Sequence, residues 1–237
     1  MRMIRMFNMD CMDGMKQMPD KAFDLAICDP PYGIGEDKAQ NKAAERREKA
    51  QGKSKAGRGW KRYKDTNWDN KVPDAEYWKE LFRVSKNQIV WGGNYFTEYL
   101  PSSMGWIIWN KMQREFSLAD GEMAWTSFDR ALRMFDLSRG EALAINNDTG
   151  GRFHPTQKPV ALYKWLLKKY AKPGDKILDT HGGSGSICIA CHDMGFDLDW
   201  YELDPDYYAA AKDRLERHQR QATLFVGDGI NHATETS

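Results

Sequence analysis

Four consecutive residues hold the chain's most specific chemistry. In "FDLAICDPPYGIG", residues 23–35, an apolar run ends in Asp29, two prolines, a tyrosine and a glycine. A packing strand has no need of that ending. An amino group on an aromatic ring is a poor nucleophile, because its lone pair is delocalised into the ring. A carboxylate and a backbone carbonyl accepting its two N–H bonds would favour a pyramidal nitrogen and stabilise the positive charge that grows there. Pro30 and Pro31 fix φ and hold such a carbonyl at no further ordering cost. Tyr32 offers a face on which a planar base can stack, worth about 1–3 kcal/mol. Asp29 need not take a proton first, since an aryl amine is far too weak an acid. Orientation and electrostatics carry the step, and losing one such group typically costs about 10²–10³ in rate.

A second stretch, "ILDTHGGSGS" (residues 177–186), ends a strand at Asp179 and opens a helix with Gly182, Gly183, Ser184 and Gly185. Glycines permit close backbone approach, and a helix N-terminus presents unpaired N–H groups. No lysine followed by Ser or Thr comes after the glycines, and the spacing is not GxGxxG, so a phosphate cradle is excluded. About twenty residues on, Glu202 ends the strand "LDWYE", where a carboxylate can accept from ribose hydroxyls. The pair implies a ligand with a ribose and no demanding pyrophosphate. Ligands of open parallel sheets bind beyond the carboxyl ends of strands where the strand order reverses. If the strands ending at Asp29 and Asp179 flank that point, the two loops form one crevice.

The elements that must position these loops read as follows. Strand, short helix and strand span residues 4–32. "DAEYWKELFRVS" has helical spacing at Tyr77, Trp78, Leu81 and Phe82. "NQIVWGG", "GWIIWNK", "GEMAWTSFD" and "RALRMFDL" read as strands, and residues 138–153 as a polar loop. "PVALYKWLLKKYA" is an amphipathic helix with Pro159 in its first turn. Strand, glycine loop, helix, strand, acidic turn and helix complete the chain. The alternation predicts an α/β fold, a mostly parallel sheet with helices on both faces. No internal repeat is present. At 237 residues with 41% hydrophobic content, one domain with extended loops is expected over 1–237.

The formal charge is +1, but between Lys38 and Lys64 eleven Lys or Arg face only Glu45 and Glu48, a local +9 that leaves −8 for the rest. Residues 36–66 lack large aliphatics and read as a long loop insertion, partly helical at "KAAERREKAQ". Arg46, Arg47, Lys53, Lys55, Arg58 and Lys61 are the candidates for phosphate contact, which would be salt-sensitive and blind to sequence. Cys11, Cys28, Cys188 and Cys191 fit a reducing, cytoplasmic setting. Cys188-x-x-Cys191 has no second metal pair and reads as two buried helix cysteines. No metal is expected, and no apolar run approaches membrane-spanning length or a signal peptide.

The "DPPY" ending and the later "LDTHGGSGS" loop resemble the amino-methylating DNA methyltransferases that use S-adenosylmethionine. The order, catalytic motif before cofactor motif, is similar to the β group, whose Rossmann-like sheet is circularly permuted. "RFHPTQKPVALYKWLLKKYAKPGDKILD" resembles the segment preceding that family's cofactor strand, which implies that Lys158 lies near the methionine end. "DCMDGMKQMPDKAFDLAICDPPY" resembles its run-up to the catalytic motif, which implies Asp10 near the adenine of the cofactor. "RVSKNQIVWGGNYF" and "GWIIWNK" resemble its later sheet strands. Thr180 and His181 stand where the family commonly has Pro and Phe. The resemblance implies methyl transfer to DNA in a bacterial or phage-infected cell, S-adenosylhomocysteine as product, Asp29, Pro30, Pro31 and Tyr32 as the catalytic loop, and Asp10, Lys158, Asp179, His181, Gly182, Gly183, Ser184, Gly185 and Glu202 around the cofactor. Relatives of this group are often dimers, so a homodimer stays open. With no large recognition domain, target reading falls to loops, with a candidate region at about 110–152. Asp in the first catalytic position favours adenine N6 over cytosine N4. Methylation of RNA or of a protein glutamine, and a silent DNA-binding module, remain as alternatives.

Overall fold

The computed structural model describes residues 3–35, 69, 71–114, 119–148, 153–154 and 156–228. The strands are β1 (Ile4–Phe7), β2 (Phe23–Cys28), β3 (Ser85–Trp91), β4 (Trp106–Asn110), β5 (Gly121–Thr126), β6 (Arg133–Asp136), β7 (Lys176–Asp179) and β8 (Asp197–Tyr201). They join in one sheet in the order β1-β8-β7-β2-β3-β5-β4-β6. Strand β5 is antiparallel to both of its neighbours, and every other pairing is parallel.

The helices are α1 (Cys11–Met15), α2 (Ala75–Val84), α3 (Arg139–Asp148), α4 (Val160–Tyr170), α5 (Ser186–Met194) and α6 (Pro205–Asp228). Alternation along β2 serves two cores. Ala26 and Cys28 pack with Met15 of α1 and Tyr77, Trp78 and Leu81 of α2. Leu25 and Ile27 face the opposite way, toward Leu162 and Leu166 of α4, Ile189 of α5 and Leu215 of α6. Helices therefore cover both faces, as a buried parallel strand requires. Cys188 and Cys191 of α5 are free and buried in the second of these cores.

Strands β2 and β7 are neighbours in register, with Leu25 opposite Ile177 and Ala26 opposite Leu178. From β2 the chain next joins β3 on one side, and from β7 it next joins β8 on the other. Asp29 and Asp179 therefore end the two strands that flank the point of reversal.

Two expectations need correction. Residues 139–148 form α3 rather than a loop. Its start carries a reciprocal cap: Glu141 N donates to Ser138 Oγ at 3.2 Å, and Ser138 N donates to Glu141 Oε2 at 3.0 Å. That Ser-x-x-Glu box supplies the nucleation that the weakly apolar sequence does not advertise. Pro159 is the N-cap of α4, with extended ψ of 144°, and is not within the first turn. The basic candidates Arg46, Arg47, Lys53, Lys55, Arg58 and Lys61 lie outside the described residues.

Candidate active site

A cavity of about 390 Å³ opens at the carboxyl ends of β2 and β7. Asp10, Asp29, Pro31, Lys158, His181, Gly182, Gly183, Ser184 and Glu202 line it, so nine of the thirteen residues expected for catalysis and cofactor binding meet there. Pro30, Tyr32, Asp179 and Gly185 are not in its lining. His154, Thr156, Gln157 and Tyr207 also belong to the wall and were not anticipated. His154 and Tyr207 meet edge to face at 4.5 Å.

The glycine loop closes onto Glu202. Gly183 N donates to Glu202 Oε2 at 2.8 Å and Asp204 N donates to Oε1 at 2.8 Å. Each oxygen retains acceptor capacity for a ligand hydroxyl. Burial pushes the Glu202 carboxyl up to about 7 against the pull of these backbone donors.

The three glycines have different reasons. A Cβ on Gly182 would lie 1.8 Å from the indole of Trp200, so this residue is glycine for packing against β8 rather than for ligand approach. Gly185 is the left-handed N-cap of α5, at φ of 66°, and also touches Ala211. Gly183, at φ of 53°, is the one whose backbone faces the cavity in a left-handed turn. From behind, buried Arg214 of α6 donates to Ser184 O at 2.9 Å and to Ser186 Oγ at 3.0 Å, which braces the loop.

Asp10 caps α1, accepting from Met12 N at 2.8 Å, while still lining the cavity. Asp179 is buried and accepts from His181 N at 3.1 Å; it shapes the turn. Burial raises its carboxyl to about 8. The His181 ring meets Tyr77 edge to face at 5.3 Å, and its Nδ1 lies 2.9 Å from Thr180 Oγ1, which is 2.8 Å from Tyr77 Oη. Burial lowers its pKa to about 4, so the ring is neutral at ordinary pH.

The Asp29–Tyr32 loop is more heavily engaged than its sequence implies. Tyr32 Oη donates to Asp29 Oδ1 at 2.7 Å, and Lys158 Nζ donates to Oδ2. Lys158 is thus tied to the Asp29 carboxylate while also lining the cavity. Tyr32 stacks on Tyr95 at 5.0 Å and 16°, so one face of the tyrosine is already covered. Gly92, at φ of 69°, lets the two rings meet, since a Cβ there would lie 2.2 Å from Tyr32. Tyr95 is itself 45% exposed. Burial raises the Asp29 carboxyl, opposed by the Lys158 charge. Among the described residues, no helix is long and apolar enough to cross a membrane.

The donor set suits a nucleoside-bearing ligand: an acid with spare acceptor capacity, a glycine turn in the wall and a neutral aromatic ring in one cleft. The family model described as DNA methylase, of the N6/N4 group, matches residues 135–213, from β6 through Lys158, the glycine loop and Glu202 into α6. Over that segment, about a third of its length, the chain is similar to the N6/N4 DNA methylases. Type II methyltransferase M.HpaI of Haemophilus parainfluenzae is 23% identical over 252 aligned positions, covering 90% of this chain and 74% of that one. A protein of Escherichia coli (strain K12) carrying the methylase name YubD is 38% identical over 72 residues, 30% of this chain and 32% of its own length. Among solved structures, M1.HpyAVI in complex with SAM aligns with a TM-score of 0.55 at 18% identity, over 90% of this chain and 99% of that one. The cytosine-N4-specific PvuII DNA methyltransferase aligns with a TM-score of 0.55 at 14% identity, over 91% and 89%. At these identities the structural likeness carries the fold.

Proposed function

We propose that this protein transfers a methyl group from S-adenosylmethionine to the N6 amino group of adenine in DNA. The observation that supports this reading best is that Asp29, Gly183 and Glu202 line one cavity at the ends of adjacent parallel strands. The cofactor supplies an electrophilic methyl group on sulfur. Glu202 accepts from ribose hydroxyls, and the Gly183 turn with Ser184 and His181 shapes the wall around the nucleoside. Asp29 shares its remaining lone pairs with the target amine and orients the nitrogen lone pair toward the methyl group. As the N–C bond forms and the C–S bond breaks, the nitrogen becomes cationic, and the fixed carboxylate stabilises it until one proton leaves.

The base must leave the duplex stack to reach Asp29, at a cost of a few kcal/mol. A base that stacks on Tyr32 takes the face now held by Tyr95 or lies against the opposite one. Residues 36–66 would hold the phosphates during that step. The Asp at position 29 favours adenine, and the likeness to a cytosine-N4-specific enzyme keeps cytosine N4 as the second reading. Methylation of random-sequence duplex DNA with labelled cofactor, followed by base-resolved detection, tests both. N6-methyladenine is expected; N4-methylcytosine would replace the adenine assignment, and absence of DNA label with cofactor bound would overturn the reading.

A further inference from the structure

Strand β5 runs against its neighbours, and this places its first residues at the same end of the sheet as Asp29. Cys28 pairs with Val90, and Trp91, the next residue of β3, pairs with Ala124. Glu122, two residues before Ala124, therefore projects beyond the carboxyl ends of β2 and β3. There Glu122 Oε2 lies 3.2 Å from Lys158 Nζ, on which Asp29 Oδ2 also sits. Glu122 Oε1 lies 2.7 Å from Lys111 Nζ. Lys158 is 1% exposed and lies 5.1 Å over the Trp91 ring. Four elements, the ends of β2 and β4, the start of β5 and the lead into α4, thus build an alternating chain Asp29–Lys158–Glu122–Lys111.

We propose that Glu122 is a positioning residue for methyl transfer, acting through Lys158 to orient Asp29 and to offset the lysine charge that faces it. The inference rests on the role proposed above for Asp29. A lysine bound to Asp29 alone would form a neutral pair facing a nitrogen that is becoming positive. Sharing that lysine with Glu122 sets a second negative charge against it, so Lys158 neutralises Asp29 less completely as the amine becomes positive. A buried lysine also needs more than one acceptor to offset its desolvation, and the second carboxylate supplies it. Lys111 holds the other oxygen of Glu122, fixing which oxygen faces Lys158. Burial alone would raise the Glu122 carboxyl, but the two lysines outweigh it and hold it at about 2. Glu122 is ionised throughout the working range of such an enzyme.

The charges facing Asp29 are Lys158, Glu122 and Asp179, with the Tyr32 and Tyr163 phenols beside them. Removing the Glu122 charge leaves Lys158 to act on Asp29 unopposed, so Asp29 must titrate at lower pH. Removing the Lys111 charge must move it the other way. The experiment compares wild type with Glu122→Gln, Glu122→Asp, Lys111→Met and Asp29→Asn. It reads the carboxyl titration of ¹³C-labelled Asp29, the pH profile of kcat and cofactor affinity. Because Glu122 acts one group removed from the amine, Glu122→Gln should lower plateau kcat by about tenfold, less than removal of a group that touches the amine directly. Its Asp29 titration and the acid limb of kcat should both move to lower pH, with cofactor affinity held within about twofold. Lys111→Met should shift the titration upward, and Glu122→Asp should recover part of the lost rate.

An unmoved Asp29 titration in both Glu122→Gln and Lys111→Met overturns the inference, as does a wild-type plateau in Glu122→Gln. Should Glu122→Gln melt early, the Lys111→Met shift decides alone. If Asp29→Asn keeps wild-type turnover, the role assigned to Asp29 fails separately. The carboxyl titration still reports whether Glu122 sets its charge.

Discussion

Gly182→Ala tests whether the glycine loop is shaped by packing or by ligand. The added Cβ would lie 1.8 Å from Trp200 Cε2, 2.0 Å from Nε1 and 2.3 Å from Cζ2, far inside van der Waals contact. Gly182 has no left-handed φ, so the cost is steric rather than conformational. Trp200 of β8 is fully buried in the core, and Gly182 N donates to Tyr201 O at 2.8 Å, so neither side can withdraw freely. Overpacking of this kind costs about 1–3 kcal/mol, and an approach this short to a rigid ring puts the expected loss near 3. For a chain of this size each kcal/mol shifts Tm by about 2–4 °C, so a fall of about 6–12 °C is expected. Thermal melts of Gly182→Ala, Trp200→Phe and the double variant provide the assay. Trp200→Phe removes the indole atoms that meet the new methyl. The double variant should therefore be more stable than the sum of the single losses predicts. A Gly182→Ala melt within about 2 °C of wild type, or strict additivity, would refute the packing account and return this glycine to ligand approach.

Asp29→Ala should abolish methyl transfer, by about 10²-fold or more, while cofactor affinity measured by calorimetry stays near wild type; turnover within about tenfold would remove Asp29 from catalysis. Cofactor affinity should weaken as pH falls below about 7, because ribose hydroxyls donate best to the ionised Glu202 and burial has raised its pKa to that point. Glu202→Gln should flatten this pH dependence, and a wild-type affinity that is level from pH 5.5 to 8.5 would contradict it. Without cofactor, the same raised carboxyl has the opposite effect on folding. Its stabilising contribution is present below the ordinary carboxylate pKa and is lost as pH rises through about 7. Replacing Arg46, Arg47, Lys53 and Lys55 with Ala should weaken binding to all DNA sequences alike. It should also reduce the log–log salt slope by about 0.9 for each phosphate that is no longer neutralised. Equal affinity with parallel salt lines would make the segment a passive insertion.

Sequence alone determined what is local. An apolar run that stops at a carboxylate and two prolines can only be a strand end with a stiffened loop, and glycines at a strand-to-helix junction can only be a tight turn. Those patterns located β2, β7, α5 and the acid after β8, and with them the crevice. The helix α3 escaped because its signal is a two-residue cap rather than an apolar period. Why position 182 must be glycine was settled only by folding, since Trp200, which a Cβ there would meet, comes from the next strand. Lys158 lies 129 residues from Asp29, and no spacing rule connects them. Glu122 reaches the site because β5 runs antiparallel, and strand direction is fixed by hydrogen bonding across the sheet. Charge pairs of that kind form where chain reversal brings distant carboxylates and lysines into a largely buried pocket, where each demands a partner.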